Sequence, residues 1–294
     1  MLNNIKSIYF LRLIMTYIKE GKKLELIMYN KNIQNKLDIG LINYKFFSGK
    51  YKIVDKNGNN QVFFGANDEM IFEGEYVNGK RNGKGKEYDK NGNLIFEGEY
   101  LNGKKWNGKG FHVNGNIIYQ LINGNGKVKE FNTLRSQLSF EGEYLNGEIN
   151  GKGKEYDYFN GELRFEGEYK NGKKNGKGKE YYKGKLIFEG EYTNEKRNGK
   201  GKEYDFYHGY LRYEGGYVNG MRNGKGKEYN SDGNILFEGE YFNEMRNGNG
   251  KEYNKGKLIF KGEYINGMRN GKGKEYNSDG IIIFEGEYLN GKRI

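Results

Sequence analysis

From residue 72 onward the sequence repeats one phrase about every 24 residues, and a chain that repeats at such a period folds as a stack of like units. The phrase opens with Phe72-Glu73-Gly74-Glu75-Tyr76, continues through Asn78-Gly79 and Asn82-Gly83-Lys84-Gly85-Lys86-Glu87-Tyr88, and closes with a polar turn containing Gly92. Its opening aromatic recurs at Phe72, Phe96, Phe140, Phe165, Phe188, Tyr213, Phe237, Phe260 and Phe284, at spacings of 24, 44, 25, 23, 25, 24, 23 and 24 residues. The 44-residue gap divides into a unit from Phe96 and a decayed one from near Tyr119, which keeps Asn123-Gly124-Asn125-Gly126-Lys127 and Phe131. About ten units result, the last stopping at Ile294.

Each unit reads as one β-hairpin and a connecting turn, because two runs of alternating aromatic and polar residues are separated by Asn-Gly pairs. The first strand is Leu94–Tyr100 and its equivalents, with Phe96, Gly98 and Tyr100 on one face and Glu97 and Glu99 on the other. The second is Lys84–Tyr88 and its equivalents. A glycine at the centre of every first strand points to a close approach of backbone and aromatic ring, the ring expected from the neighbouring hairpin. One hairpin cannot bury its apolar face alone, so stability must come from stacking. The fold class expected is all-β: an elongated single-layer solenoid, or meander, of stacked hairpins. At two strands per unit it would run on the order of 90–100 Å. Residues 1–45 read as a non-repeat cap, 46–71 as a decayed repeat-like segment around Phe46-Phe47 and Asn57-Gly58, and 72–294 as the array.

These phrases, recurring in register, resemble the membrane occupation and recognition nexus (MORN) repeat in its variant form. Tyrosine closes the first strand here, and asparagine (Asn82, Asn150, Asn175, Asn198, Asn223, Asn247, Asn270) stands where that repeat often has histidine. The resemblance implies attachment: such arrays occur in junctional membrane proteins, lipid kinases, cytoskeletal scaffolds and beside a methyltransferase domain. Its members are described as binding acidic phospholipids, dimerising, or gripping helices and peptides.

Composition narrows the chemistry. There are 48 glycines, 27 tyrosines and 18 phenylalanines, with no proline and no cysteine. Disulfides, thiolate metal sites and cysteine nucleophiles are excluded, and a reducing cytoplasmic location is expected. The net charge of +11 favours anionic surfaces. Because Ala66 is the only alanine and Lys, Asn and Ile abound, part of the lysine excess reflects codon drift. The apolar run Ile8–Ile18 is broken by Arg12 and is half the ~20 residues a membrane span needs. It reads as a cap of the first hairpin, with a membrane-associating or oligomerising element as alternatives.

No enzyme signature emerges. His112 and His208 stand alone in turns. The carboxylate pairs (Glu73/Glu75, Glu97/Glu99, Glu141/Glu143, Glu166/Glu168, Glu189/Glu191, Glu238/Glu240, Glu285/Glu287) recur alike, without the unequal environments acid–base chemistry needs, and read as a solvated face matched by Lys84, Lys86 and their copies. Gly-Lys-Gly-Lys lacks the spacing and following helix of a phosphate loop. No cofactor is expected.

Two sets of residues are candidates for function or core. Arg81, Lys105, Lys174, Arg197, Arg222, Arg246, Arg269 and Arg293 occupy equivalent positions after the Asn-Gly turn, broken only by Ile149. Stacked at the hairpin tips they would form a basic stripe able to grip phosphate. The repeat core is read as Phe72, Tyr76, Tyr88, Phe96, Tyr100, Phe140, Tyr144, Tyr156, Phe165, Tyr169, Tyr181, Phe188, Tyr192, Tyr204, Tyr213, Tyr217, Tyr229, Phe237, Tyr241, Tyr253, Phe260, Tyr264, Tyr276, Phe284 and Tyr288. The function expected is a non-catalytic scaffold for protein–protein attachment. Peripheral binding to acidic phospholipid through the basic stripe comes second, and carbohydrate binding a distant third, since Trp106 is the only tryptophan. Nucleic acid is disfavoured by the near balance of Lys and Glu in each unit. The edge at Phe284–Tyr288 suggests end-to-end self-association.

Overall fold

A computed structural model describes residues 50–54, 60–64, 69–132 and 137–294, and every regular element in it is a β-strand. The cap expected over residues 1–45 lies outside the described residues. Within 46–71, Lys50–Val54 pairs antiparallel with Asn60–Phe64, which pairs in turn with Glu69–Val77. The chain divides into two units, residues 1–136 and 137–294, so the break falls inside the decayed repeat. In the first unit the seven strands from Lys50–Val54 to Ile117–Leu121 lie side by side in chain order. In the second the fourteen strands from Leu138–Leu145 to Lys292–Arg293 do the same. Neither sheet closes on itself; both are open meanders of stacked hairpins.

The hairpin Lys185–Thr193/Lys196–Tyr204, followed by the first strand of the next, Leu211–Val218, shows how the phrase builds the unit. Its counterpart turn Asn219-Gly220 has φ of 53° and 94°, the left-handed pair a two-residue hairpin turn requires. Two turns carry glutamate in the second place, Asn194-Glu195 and Asn243-Glu244. There the carboxylate accepts a backbone N–H from the preceding hairpin, Lys174 at 2.7 Å and Arg222 at 2.8 Å, which offsets the strain of a positive φ. Successive turns are also tied by main chain: Gly220 N donates to Arg197 O at 2.8 Å and Gly267 N to Arg246 O at 2.9 Å.

The second Asn-Gly is not a turn. Asn198-Gly199 lies within the strand Lys196–Tyr204, which begins four residues before the sequence suggested. Gly190 pairs with Gly201 and Tyr192 with Arg197, so three residues, Asn198 to Lys200, face Glu191 alone. The bulge strips the Lys200 N–H of a strand partner, and the Glu191 carboxylate accepts it at 3.4 Å; Glu168 serves Lys177 likewise at 2.9 Å. Asn198 Oδ1 accepts the N–H of Asn219 in the next turn at 3.3 Å.

Register sorts the side chains. Phe188, Gly190 and Tyr192 share a face with Arg197, Gly201 and Glu203, while Glu189, Glu191, Lys200, Lys202 and Tyr204 take the other. The Phe188 ring lies across the two paired glycines: a methyl on Gly201 would meet its Cζ at 2.5 Å, and one on Gly190 would meet it at 2.7 Å. The ring that demands these glycines belongs to the same hairpin, two residues upstream of Gly190. The expected neighbouring aromatic, Tyr217, approaches the Gly201 position more loosely, at 3.0 Å.

Candidate interaction surface

The ring face is a continuous zigzag of edge-to-face contacts. Phe165 meets Tyr192 at 5.2 Å, Tyr192 meets Phe188 at 5.8 Å, and Phe188 meets Tyr217 at 5.2 Å, all within 5° of perpendicular. The pattern continues through Tyr213, Tyr241, Phe237, Tyr264, Phe260 and Tyr288 to Phe284. Each tyrosine thus belongs to one hairpin and buries itself against the opening ring of the one before. Phe72, Phe96, Tyr100, Phe140, Phe165, Tyr169, Phe188, Tyr192, Tyr213, Tyr217, Phe237, Tyr241, Phe260, Tyr264 and Tyr288 are buried here. Tyr76, Tyr144 and Phe284 are half-buried on the same face.

The third tyrosine row corrects the sequence reading. Tyr88, Tyr156, Tyr181, Tyr204, Tyr229, Tyr253 and Tyr276 are half-exposed and leave the ring face, because each follows a ring-face glutamate by one residue and alternation sends it to the reverse. Tyr88 donates to Glu73 at 2.6 Å, Tyr181 to Glu166 at 2.6 Å and Tyr204 to Glu189 at 2.6 Å. Burial and the glutamates they bond, Glu141 and Glu166, push the hydroxyls of Tyr156 and Tyr181 up to about 12. Around them the reverse face carries the expected Glu–Lys ladder, with Lys274 and Glu285 2.8 Å apart and Lys86 and Glu97 3.4 Å apart.

The eight cations read as a stripe at the hairpin tips are not at the tips. Each lies in the second strand and folds over the opening ring of its own hairpin. The Arg197 guanidinium is 4.0 Å from the Phe188 centroid, Arg222 4.2 Å from Tyr213, Arg246 4.2 Å from Phe237 and Arg269 4.1 Å from Phe260. Arg81, Lys174, Lys105 and Arg293 sit over Phe72, Phe165, Phe96 and Phe284. Each is also paired. Arg197 donates to both oxygens of Glu180, at 3.0 and 2.6 Å, with Glu203 at 3.8 Å on its other side. Arg222 binds Glu203, Arg246 binds Glu228, and Arg269 bridges Glu252 and Glu275. Lys105 reaches Glu87 at 3.1 Å and Glu130 at 3.3 Å, and Lys174 reaches Glu155 at 2.8 Å. Arg81 pairs with Glu87, and Arg293 with Glu275.

The glutamates of this network, Glu87, Glu155, Glu180, Glu203, Glu228, Glu252 and Glu275, went unremarked in the sequence because Glu-Tyr beside a Gly-Lys-Gly-Lys phrase looks like one more solvated acid. The signal was parity: each lies two residues from the central glycine and so shares its face. All but Glu87 also accept the hydroxyl of the buried tyrosine, as in Tyr192 to Glu180 at 2.6 Å and Tyr217 to Glu203 at 2.7 Å. Burial alone would raise the Glu203 carboxyl, but hydrogen bonds from Arg222 and Tyr217 and the nearby guanidinium charges hold it below the usual carboxylate range; Glu180, Glu228 and Glu252 follow suit.

Apolar side chains stay exposed at the two edges of the second unit. At the loop edge, two connections are longer and aromatic: Asp157–Glu162, and Asp205–Tyr210 with Phe206, Tyr207 and His208. Tyr182 packs on Phe206 and Phe206 on Tyr207, each at 4.8 Å, and His208 lies beside Tyr210. Tyr207 is 72% exposed and Phe159 67%. Asp205 fastens the loop by accepting the N–H of Tyr207 and of His208, at 3.0 and 2.8 Å. His112 packs against Phe131, far in sequence from His208, and among the described residues no His, Asp or Glu cluster is placed to hold a metal.

No curated protein matches the chain. One similar solved structure, "Crystal Structure of TcdB2-TccC3-TEV", aligns at 10% identity and a TM-score of 0.21 over 82% of this chain and 16% of that one, so this chain spans less than a fifth of its length. The sequence profile of the MORN repeat matches residues 72–94, 140–158, 165–185, 188–210, 213–235, 237–257 and 260–281, more than half of the chain. It passes over the units opened by Phe96 and Phe284, although Phe96 heads a hairpin with the same Gly98–Gly108 pairing as the matched ones. Repeats of this kind are commonly protein- or membrane-binding modules and are generally not enzymes. With its repeat signature, its hairpin meander and its glycine-seated rings all in agreement, the chain belongs to the MORN repeat family.

Proposed function

We propose that this chain is a non-catalytic scaffold that holds a protein partner at the loop edge of its second unit. The observation that carries the reading is the aromatic cluster of Tyr182, at a strand end, with Phe206 and Tyr207, which stand in a loop where other units place polar residues such as Asn91, Asp232 and Asp279. Tyrosine and phenylalanine are the residues a protein interface favours, and a ring already fixed by neighbours loses little freedom on binding. Lys185 joins the patch through its ammonium, with Nζ donating to the Tyr207 carbonyl at 2.7 Å. Acidic phospholipid is the weaker reading, since the arginines that would grip phosphate are engaged by glutamates and rings. A photo-crosslinker at position 207, with one at Asp232 as control, would be used to capture partners from the native cell, alongside sedimentation with acidic vesicles. Capture of one protein species from position 207 alone, abolished by Tyr182→Ser, supports the reading. Vesicle binding without protein capture overturns it.

A further inference from the structure

The reverse face of the second unit breaks its own charge pattern at one strand. Elsewhere on it the second residue of the Phe-Glu-Gly-Glu-Tyr phrase is glutamate, and it meets a lysine on each neighbouring strand. Glu189 stands opposite Lys179 and Lys202, and Glu214 opposite Lys202 and Lys227. In the strand Lys257–Ile265 that residue is Lys261, which stands opposite Lys251 and Lys274. Three lysines therefore occupy adjacent strands, about 4.8 Å apart, and like charges directly opposite one another destabilise a sheet. Two of the three are balanced, since Glu238 binds Lys251 and Glu285 binds Lys274, each at 2.8 Å. Among the described residues no carboxylate pairs with Lys261, which is exposed. The acid two residues along its strand, Glu263, turns to the bulge at Gly271 instead.

The same exchange removes a hydrogen-bond acceptor. In the three preceding hairpins the reverse-face tyrosine donates to the glutamate 15 residues before it: Tyr204 to Glu189, Tyr229 to Glu214 and Tyr253 to Glu238. For Tyr276 the residue at that place is Lys261, and an ammonium cannot accept. Tyr276 is half-buried and shares its strand and face with Lys274. Three ammoniums and a hydroxyl thus surround the position from which a carboxylate is missing. Their donors outnumber the two oxygens of a carboxylate and suit a tetrahedral oxyanion, which offers more acceptors and up to two charges. A lipid leaflet suits the site poorly. The strands on either side carry Glu238 and Glu240, and Glu285 and Glu287, on the same face, and a layer of headgroups would meet all four.

We infer that Lys251, Lys261, Lys274 and Tyr276 form a binding site for the phosphate group of a soluble phosphate monoester. The site lies on the face of the sheet and is independent of the partner site at the loop edge. Calorimetric titration of the full chain at low ionic strength is the test. Inorganic phosphate and phenyl phosphate are the probes, chloride at matched ionic strength is the control, and vesicles of acidic phospholipid form a separate arm. The wild type is expected to bind both phosphate probes saturably, with a single site per chain. Lys261→Glu, which installs the residue other units carry and gives Tyr276 its acceptor, is expected to weaken binding by about tenfold or more, with circular dichroism showing the fold intact. Tyr276→Phe is expected to weaken it severalfold, and Lys202→Gln, in a regular part of the ladder, to leave it unchanged. Absence of saturable phosphate binding, binding indifferent to Lys261→Glu, or binding weakened as much by Lys202→Gln would each overturn the inference. Vesicle binding without binding of the soluble probes would overturn it too, by assigning the charge to a membrane.

Discussion

The guanidinium of Arg197 lies 4.0 Å above the ring of Phe188, and that same ring lies on the Gly190–Gly201 pair, so one aromatic is clamped between a cation and bare backbone. The stack recurs in most hairpins, that of Phe140 lacking the cation: glycine pair, ring, cation, with a carboxylate on the second strand of the preceding hairpin or on the cation's own strand to fix it. A single-layer sheet has no second layer to cover its apolar face. Here the long arginine stems do so, while their heads bond to Glu180, Glu203 and their copies.

Removing the clamp gives the first prediction. Arg197→Met keeps the stem but leaves Glu180 without its two guanidinium bonds. Urea unfolding should show a loss of about 1–3 kcal/mol. The loss should persist in 0.5 M salt, because a partly buried pair is screened little. In a double-mutant cycle with Glu180→Gln the two losses should fall well short of additive.

The glycine pair gives the second. Gly201→Ala would set a methyl 2.5 Å from Phe188 Cζ, and overpacking of this kind costs about 1–3 kcal/mol. Phe188→Leu in the same chain withdraws the offending atom. The double variant should therefore be less destabilised than the sum of the singles, as read from thermal midpoints.

Ile149 gives the third. It is paired with Tyr144 just as Arg197 is with Tyr192, yet supplies no cation to Phe140. Ile149→Arg should place a guanidinium over Phe140 with Glu155 in reach on its own strand. A gain of about 0.5–1 kcal/mol is expected in chemical denaturation, and no gain would mean that Lys174 already saturates Glu155.

The fourth concerns pH. Glu180, Glu203, Glu228 and Glu252 are held below their unfolded values, so the stability they supply is full at neutral pH and is lost as pH falls below about 4.3 through the depressed range. Tyr156 and Tyr181 are raised to about 12, so their contribution is intact below about 10 and is lost as pH rises from there to about 12. Melting temperatures taken across pH should form a plateau falling at both ends, and Arg222→Met should flatten the acid limb.

The sequence by itself determined the hairpin, its period and the ring face. Asn-Gly at positions 219 and 220 admits little but a left-handed turn, and glycine two residues after each opening aromatic leaves space only a ring would fill. It misread positions whose meaning depends on a strand elsewhere. Asn198-Gly199 has the same letters as a turn but sits in a bulge, because Tyr192 has already paired with Arg197. The basic column appeared free because most of the acids that neutralise it lie on the second strand of the preceding hairpin, 17 residues away for Arg197 and Glu180. Tyr204 looked like core and faces the reverse side. Composition and period are local properties and can be read along the chain; which cation meets which carboxylate, and which face a residue takes after a bulge, is decided by register between strands, and only the tertiary structure sets that.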